Sequence, residues 1–188
     1  MEKKSLRGEI KKRLELLSNE EKELYSRRIA SKLYGLPIWK EAKTIGITIS
    51  RGNEVDTYPI IEHAWRESKR VCVPKCYPDK KQMEFREIHS FEQLETVYFG
   101  LLEPIELITK KIFPAEIDLM IVPGVCFAKD GYRIGYGGGY YDRYLQHFSH
   151  STVALAYNVQ LVEKIPVEKH DIPVQMIITN DEVIVCHE

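Results

Sequence analysis

The chain has 188 residues, 44% of them hydrophobic and 29% charged, a balance that excludes disordered, collagenous and fibrous classes and suffices to bury one full core without disulfide staples. A formal net charge of −1 excludes the basic footprint of a dedicated nucleic-acid or membrane-surface binder, so any anion site must be local. The most apolar segment, residues 117–128, contains Asp118 and Pro123 and falls short of the roughly 20 residues that cross a bilayer.

The start, Met1 to Lys4, is charged and leads into a polar helical pattern with no apolar signal stretch, so a cytoplasmic location is expected. Leu6, Ile10, Leu14 and Leu17 recur at helical spacing and predict an opening helix whose other faces carry Lys3, Arg7, Lys11 and Arg13. Ser18 followed by Glu21 fits a capping box, and Leu24, Ile29 and Leu33 continue into a second helix. The β-branched run Thr44 to Ile49 reads as a buried strand ending in a turn at residues 50–53. Asp56 or Thr57 can cap the next helix, with Pro59 in its first turn and Ile61, Ala64 and Trp65 on its apolar side.

Arg70 to Pro74 predicts a second strand, Met83 to Ile88 a third, Phe91 to Leu94 a helical turn, and Tyr98 to Pro114 a long connection. Leu119 to Val122 is a strand, a glycine-rich loop leads into the helical pattern Tyr140 to Phe148, and strands follow at Thr152 to Tyr157 and Met176 to Thr179. The recurring β-loop-α-β order predicts an α/β fold: a single domain over residues 1–188, with a mainly parallel central sheet flanked by helices in a Rossmann-like three-layer arrangement.

Chemistry concentrates in Arg133 to Asp142, RIGYGGGYYD. Alternating glycines let backbone amides approach an anion without Cβ interference, and the helix that follows presents its positive end; a tight turn required by packing is the other reading. The loop is neither a Walker A loop nor a dinucleotide fingerprint. Asp142 suits magnesium or the positive helix end. Lys3, Lys4 and Arg7 can grip a polyphosphate or form a solvated face. Glu54 and Asp56 follow the first strand, where parallel sheets bind ligands; a surface charge and a helix cap are their plainer roles.

Cys72, Cys76, Cys126 and Cys186 make no CxxC pair, and the histidines, His147 and His150 among them, make no zinc spacing. No G-x-S-x-G elbow supports covalent catalysis.

Together KKSLRGEIKKRL, GNEVDT and PGVCFAKDGYRIGYGGGYYDRYL resemble the 5-formyltetrahydrofolate cyclo-ligase family over nearly the whole chain. The resemblance implies ATP-dependent closure of 5-formyltetrahydrofolate to 5,10-methenyltetrahydrofolate with release of ADP and phosphate, with ATP as co-substrate and magnesium as cofactor. It implies ATP contacts from Lys3, Lys4, Ser5, Leu6 and Arg7 and from Arg133, Ile134, Gly135, Tyr136, Gly137, Gly138, Gly139, Tyr140 and Tyr141. It implies folate contacts from Ile49, Glu54, Tyr136, Gly137, Gly138, Gly139 and Tyr140, with Met83 and Phe99 as added apolar wall, and magnesium at Asp142 and Asp171. Arg133 and Tyr140 are the candidates for direct catalytic roles. Some relatives carry basic residues where this chain has Tyr136 and Gly138, which leaves the phosphates to Lys3, Arg7, Arg133 and the metal.

The expected partners are small molecules, with no nucleic acid or membrane, and the expected state is a monomer. Two rival classes remain at this level: a sugar-phosphate isomerase on a related fold, and a non-catalytic nucleotide, folate or RNA binder using the basic first helix.

Overall fold

The computed structural model describes residues 1–187. The opening helix, α1 (Lys3–Glu15), buries Leu6, Ile10 and Leu14, the stripe its spacing demands. The second, α2 (Asn19–Tyr34), starts at the capping box: Glu21 N donates to Ser18 Oγ, and Ser18 N to Glu21 Oε1, each at 3.0 Å. A short α3 (Pro37–Glu41) precedes β1 (Thr44–Gly46). The strand expected over Thr44 to Ile49 is ladder-paired only in its first half; past it the chain leaves the sheet to build the loop over residues 47–57. Before α4 (Tyr58–Arg66), Asp56 Oδ1 accepts from Tyr58 N at 3.1 Å, while the Thr57 hydroxyl donates to Thr48 O at 2.6 Å and ties that loop shut.

Strands β2 (Arg70–Tyr77) and β3 (Gln82–Ile88) form a hairpin. The segment Tyr98 to Pro114, read from sequence as a connection, holds two strands instead: β4 (Leu94–Thr96) pairs with β5 (Leu102–Pro104), and β6 (Lys110–Ile112) pairs with β3. Strands of three residues are too short to leave an alternation signal. Then come β7 (Leu119–Ile121), the small pair β8 (Cys126–Phe127) and β9 (Arg133–Ile134), α5 (Tyr140–Leu145), β10 (Ser151–Leu155), β11 (Met176–Ile178) and β12 (Val183–Val185). The α5 helix ends three residues before the expected Phe148.

The main sheet runs β12-β11-β10-β7-β1-β2-β3-β6. Its centre, from β2 to β11, is parallel, and β12, β3 and β6 are antiparallel additions at the edges. The central strands are apolar on both sides because both faces are covered. Leu119, Ile121, Val153 and Leu155 belong to one core with α1, α2 and α4, whereas Met120, Val122, Ala154 and Ile177 belong to the other with Leu145 of α5. That is the expected mainly parallel three-layer α/β arrangement, with most of the helical mass on one face.

The carboxyl ends of β1, β7 and β10 open on one side, where ligands of parallel sheets bind. A cavity of about 30 Å³ there is lined by Thr48, Glu54, Thr57, Val122, Gly124 and Gln160. The small β8–β9 pair delivers the glycine loop to the same side, since Gln160 Nε2 donates to Val125 O at 3.1 Å and Val125 N to Ile134 O at 2.7 Å.

Candidate active site

The glycine loop links β9 to α5. Gly137 has φ +105° and Gly139 φ +69°, a region where an L side chain costs roughly 1–2 kcal/mol. A Cβ on Gly138 would stand 2.8 Å from the Tyr140 ring. Glycine is thus required both by the path of the backbone and by the aromatic ring folded against it. Because α5 has only six residues, an anion here would be held by individual loop amides more than by a long macrodipole.

Three distant segments meet at this loop. From α1, Arg7 Nε donates to Gly135 O at 2.9 Å. One residue on, the Tyr136 hydroxyl donates to Glu54 Oε2 at 3.0 Å, and Glu54 Oε1 accepts from Arg51 N at 2.9 Å. Burial raises the Glu54 carboxyl above its usual 4.5, outweighing the hydrogen bonds from Arg51 and Tyr136 that favour the charged form. Burial, reinforced by Glu54, also pushes the Tyr136 hydroxyl up, although the residue as a whole is 65% exposed. The far end of the loop is clamped by Arg143, whose Nη2 donates to Gly138 O and Nε to Lys81 O, each at 2.9 Å.

The other expected contacts are not equivalent. Lys4 and Ser5 are exposed, but Lys3 Nζ is 3.0 Å from Asp171 Oδ2. Leu6 points into the core at 5% exposure and Ile134 is buried at 1%, so either could meet ATP only through its backbone. Arg133, expected as a charge facing phosphate, is buried behind the loop. Its Nη2 lies 3.4 Å from Asp142 Oδ1, its guanidinium carbon lies 5.8 Å from the Tyr141 ring centre, and its Nε has no partner among the described residues. Burial lowers its pKa against the pull of Asp142, yet a guanidinium stays charged. From there it braces the loop. Tyr141 keeps a buried hydroxyl that likewise lacks a partner, while Tyr140 faces outward with the Arg143 guanidinium 5.1 Å from its ring centre.

The two carboxylates expected to hold magnesium sit on adjoining segments. Asp142 Oδ1 accepts from Ile172 N at 3.1 Å, and Asp171 Oδ2 accepts from Glu168 N at 2.9 Å as well as from Lys3. Burial would raise Asp171, but the Glu168 amide and Lys3 prevail and hold it below 3.8. Hard carboxylate oxygens are donors that suit magnesium, which prefers one or two carboxylates completed by water and substrate phosphate. Among the described residues, the group of three ligand atoms that lie together is Glu168, His170 and Asp171, within 4.8 Å of one another; Asp142 is not part of it.

The 5-formyltetrahydrofolate cyclo-ligase family model matches residues 1–180. This chain belongs to the 5-formyltetrahydrofolate cyclo-ligase family. A cyclo-ligase of Escherichia coli is 34% identical over 179 residues, covering 93% of this chain and 98% of that protein. One of Mus musculus is 32% identical over 190 residues, covering 95% and 94%. Among solved structures, the 5,10-methenyltetrahydrofolate synthetase of Aquifex aeolicus is 32% identical with a TM-score of 0.86, over 100% of this chain and 94% of that one. The synthetase of Mycoplasma pneumoniae is 28% identical with a TM-score of 0.78, over 96% and 99%.

On this cyclo-ligase frame, Ile49 is half-buried against the core, Met83 is half-buried on β3, and Phe99 is 91% exposed with φ +54°. Phe99 is therefore not part of a formed wall. Sequence reading missed Glu103, a buried carboxylate on β5 that accepts from Cys76 N at 3.0 Å and lies 3.6 Å from Lys75 Nζ. It also missed the clamp by Arg143. The first depends on residues 98–114 folding into strands and the second on backbone carbonyls as acceptors, for which side-chain patterns give no signal.

Proposed function

We propose that this chain converts 5-formyltetrahydrofolate and ATP to 5,10-methenyltetrahydrofolate, ADP and phosphate. The observation that carries the reading is the double tie at Gly135 and Tyr136, where the cationic first helix and the half-buried Glu54 reach one glycine loop from different segments of the chain. One loop can then touch phosphate with its amides and the folate with its flank, which brings the γ-phosphorus to the formyl oxygen.

In the reaction the formyl oxygen takes the γ-phosphoryl group and ADP leaves. The anilino nitrogen of the folate attacks the activated carbon, loses its proton, and the oxygen departs as phosphate while the methenyl bridge closes. Most of the protein's work is positioning and charge stabilisation. The loop amides over Gly135 to Gly139, with Ile134 and Tyr141 at its ends, cradle the triphosphate, and Lys3, Lys4, Ser5 and Arg7 approach it from α1. Glu54 accepts hydrogen bonds from the pterin ring beside Ile49, Tyr136 and Tyr140. Arg133 is a positioning residue that holds Asp142 and the loop, and Tyr140 is the candidate for direct substrate contact. Asp142 and Asp171 would hold magnesium, which when bound neutralises phosphate charge. No helix of the described residues is long and apolar enough to cross a membrane, in keeping with a cytoplasmic enzyme; a monomer is the simplest assembly that completes this site.

The test follows methenyltetrahydrofolate absorbance with purified protein, magnesium, ATP and 5-formyltetrahydrofolate, leaving out each in turn. Product that needs all components is expected; its absence from the complete mixture overturns the reading. Phosphate-dependent isomerisation, or salt-sensitive RNA binding without turnover, would favour the rival classes.

A further inference from the structure

The loop over residues 47–57, which carries Glu54, is shaped by bonds within itself. Ser50 N donates to Thr57 Oγ1 and Thr57 N to Ser50 Oγ, each at 2.9 Å, and Glu54 N donates to Arg51 O at 3.2 Å. Such bonds fix the form of the loop but not its place over the sheet, which depends on groups outside it. Lys22 Nζ donates to Asn53 Oδ1 at 2.6 Å, but on a flexible four-carbon stem. Stiffer partners hold the backbone on either side of Val55. The Tyr157 hydroxyl donates to Glu54 O at 3.3 Å, Ser26 Oγ lies 3.1 Å from that hydroxyl, and Asp56 N donates to Ser26 Oγ at 3.1 Å. With the tyrosine proton on Glu54 O, the serine proton turns to Tyr157 Oη. The relay then runs in one direction from the Asp56 N–H to the Glu54 carbonyl, and hydrogen bonds in such a chain strengthen one another. Tyr157 is 1% exposed and Ser26 7%, so water does not compete for these bonds.

We propose that Tyr157 is a positioning residue for 5-formyltetrahydrofolate: together with Ser26, its hydroxyl holds the Glu54–Asp56 backbone so that the Glu54 carboxylate stands at Tyr136. The inference rests on the reading of Glu54 as the folate carboxylate and deepens it by naming what places that group. Tyr157 is also bonded toward the other half of the site. Its backbone N–H donates to Gln160 Oε1 at 2.8 Å, and Gln160 Nε2 donates to Val125 O, next to the β8–β9 pair that delivers the glycine loop. A single residue just past β10 therefore keeps the Glu54 loop and the glycine loop in register. The cavity of about 30 Å³ that Glu54 and Val55 share with Ile121 and Leu155 of the sheet has room for a water molecule. Nothing packed beneath Glu54 replaces the relay, and the loop has space to sink when the relay is cut.

Tyr157→Phe removes the hydroxyl and keeps both the ring and the backbone bond to Gln160. Steady-state assays on this variant, Ser26→Ala, Glu54→Gln and the double variants of each of the first two with Glu54→Gln give folate KM, ATP KM and kcat, with Tm from calorimetry. Loss of one buried neutral hydrogen bond behind Glu54 is expected to raise folate KM roughly three- to tenfold in Tyr157→Phe, with kcat and ATP KM within about twofold. Ser26→Ala cuts the relay one step further back and is expected to raise folate KM about two- to fivefold. In the Glu54→Gln background either change is expected to add less than about twofold, because the carboxylate being placed is gone. A role in stability alone gives another pattern. A lower Tm with unchanged folate KM, a rise that multiplies in full in the double variant, or an equal rise in ATP KM overturns the proposal. Should Tyr157→Phe fail to fold, Ser26→Ala and its double variant decide by the same criteria. Glu54→Gln with unchanged folate KM overturns the folate reading of Glu54 and the proposal with it; a Glu54→Gln effect without one in Tyr157→Phe and Ser26→Ala overturns the positioning role alone.

Discussion

Glu54→Gln isolates the charge at the folate end of the site while preserving its shape. The carboxylate accepts from Arg51 N at 2.9 Å and from Tyr136 Oη at 3.0 Å. An amide can keep both contacts, with its oxygen toward Arg51 N and its NH2 group donating to the tyrosine oxygen, so the fold should change little. The loss falls on the pterin donors, for which a hydrogen bond to a charged acceptor contributes about 1.5–3 kcal/mol. That corresponds to a drop of roughly ten- to hundredfold in kcat/KM for 5-formyltetrahydrofolate, with less than about a twofold change in ATP KM.

The pH dependence supplies a second signature. Burial raises the Glu54 carboxyl above 4.5, so in the wild type folate KM should climb as pH falls through that raised value, and the variant should lack this limb. For folding stability the sign is opposite. A folded pKa above the unfolded one favours the neutral form, so the charged carboxylate costs stability above the folded pKa, and that cost disappears as pH falls below 4.5. Steady-state absorbance assays at saturating ATP across acidic pH, with calorimetric ATP binding alongside, measure each quantity. An unchanged folate KM and the same acidic limb in Glu54→Gln would refute the placement of the pterin here.

Three further outcomes follow from the same geometry. Arg7→Ala removes the tie to Gly135 O and should raise ATP KM roughly tenfold, about one charged hydrogen bond, while direct folate binding stays constant. Gly137→Ala meets no atom nearer than Arg7 Nη2 at 4.0 Å, so its cost is the left-handed backbone alone, about 1–2 kcal/mol. Calorimetry should show Tm lower by about 2–4 °C per kcal/mol, with ATP KM raised because the loop amides turn; a normal Tm and KM would mean the loop tolerates other paths. Asp171→Asn weakens the pair with Lys3, in which the carboxylate is 8% exposed, and should cost about 1–3 kcal/mol at neutral pH. Since Asp171 is held below 3.8, its contribution is full above the unfolded value and is lost as pH falls through the lower folded one, so the difference in Tm should narrow in acid.

Much of the fold was legible because periodicity and caps act over a few residues. The Leu6, Ile10 and Leu14 stripe, the Ser18–Glu21 box and the β-branched start of β1 are local demands that packing did not override. The glycine loop was also legible, since backbone at φ +105° and +69° leaves glycine as the residue that fits. Patterns could not show what depends on distant chain: the strands hidden in residues 98–114 are three residues long, and β6 exists because β3 offers it an edge while β5 pairs with β4. Nor could they show that Arg133, charged and close to the glycines in sequence, turns inward to Asp142.

The sequence by itself determined the parallel α/β class, the need for glycine at the loop and the chemical types available for ATP and folate, because each is set by local sterics, spacing or side-chain identity. Only the tertiary structure decided which of those groups face one another: Arg7 at Gly135, Tyr136 at Glu54, and Lys3 at Asp171. Those pairs are separated by tens of residues or more, and their meeting depends on strand order and on burial, which no local pattern encodes.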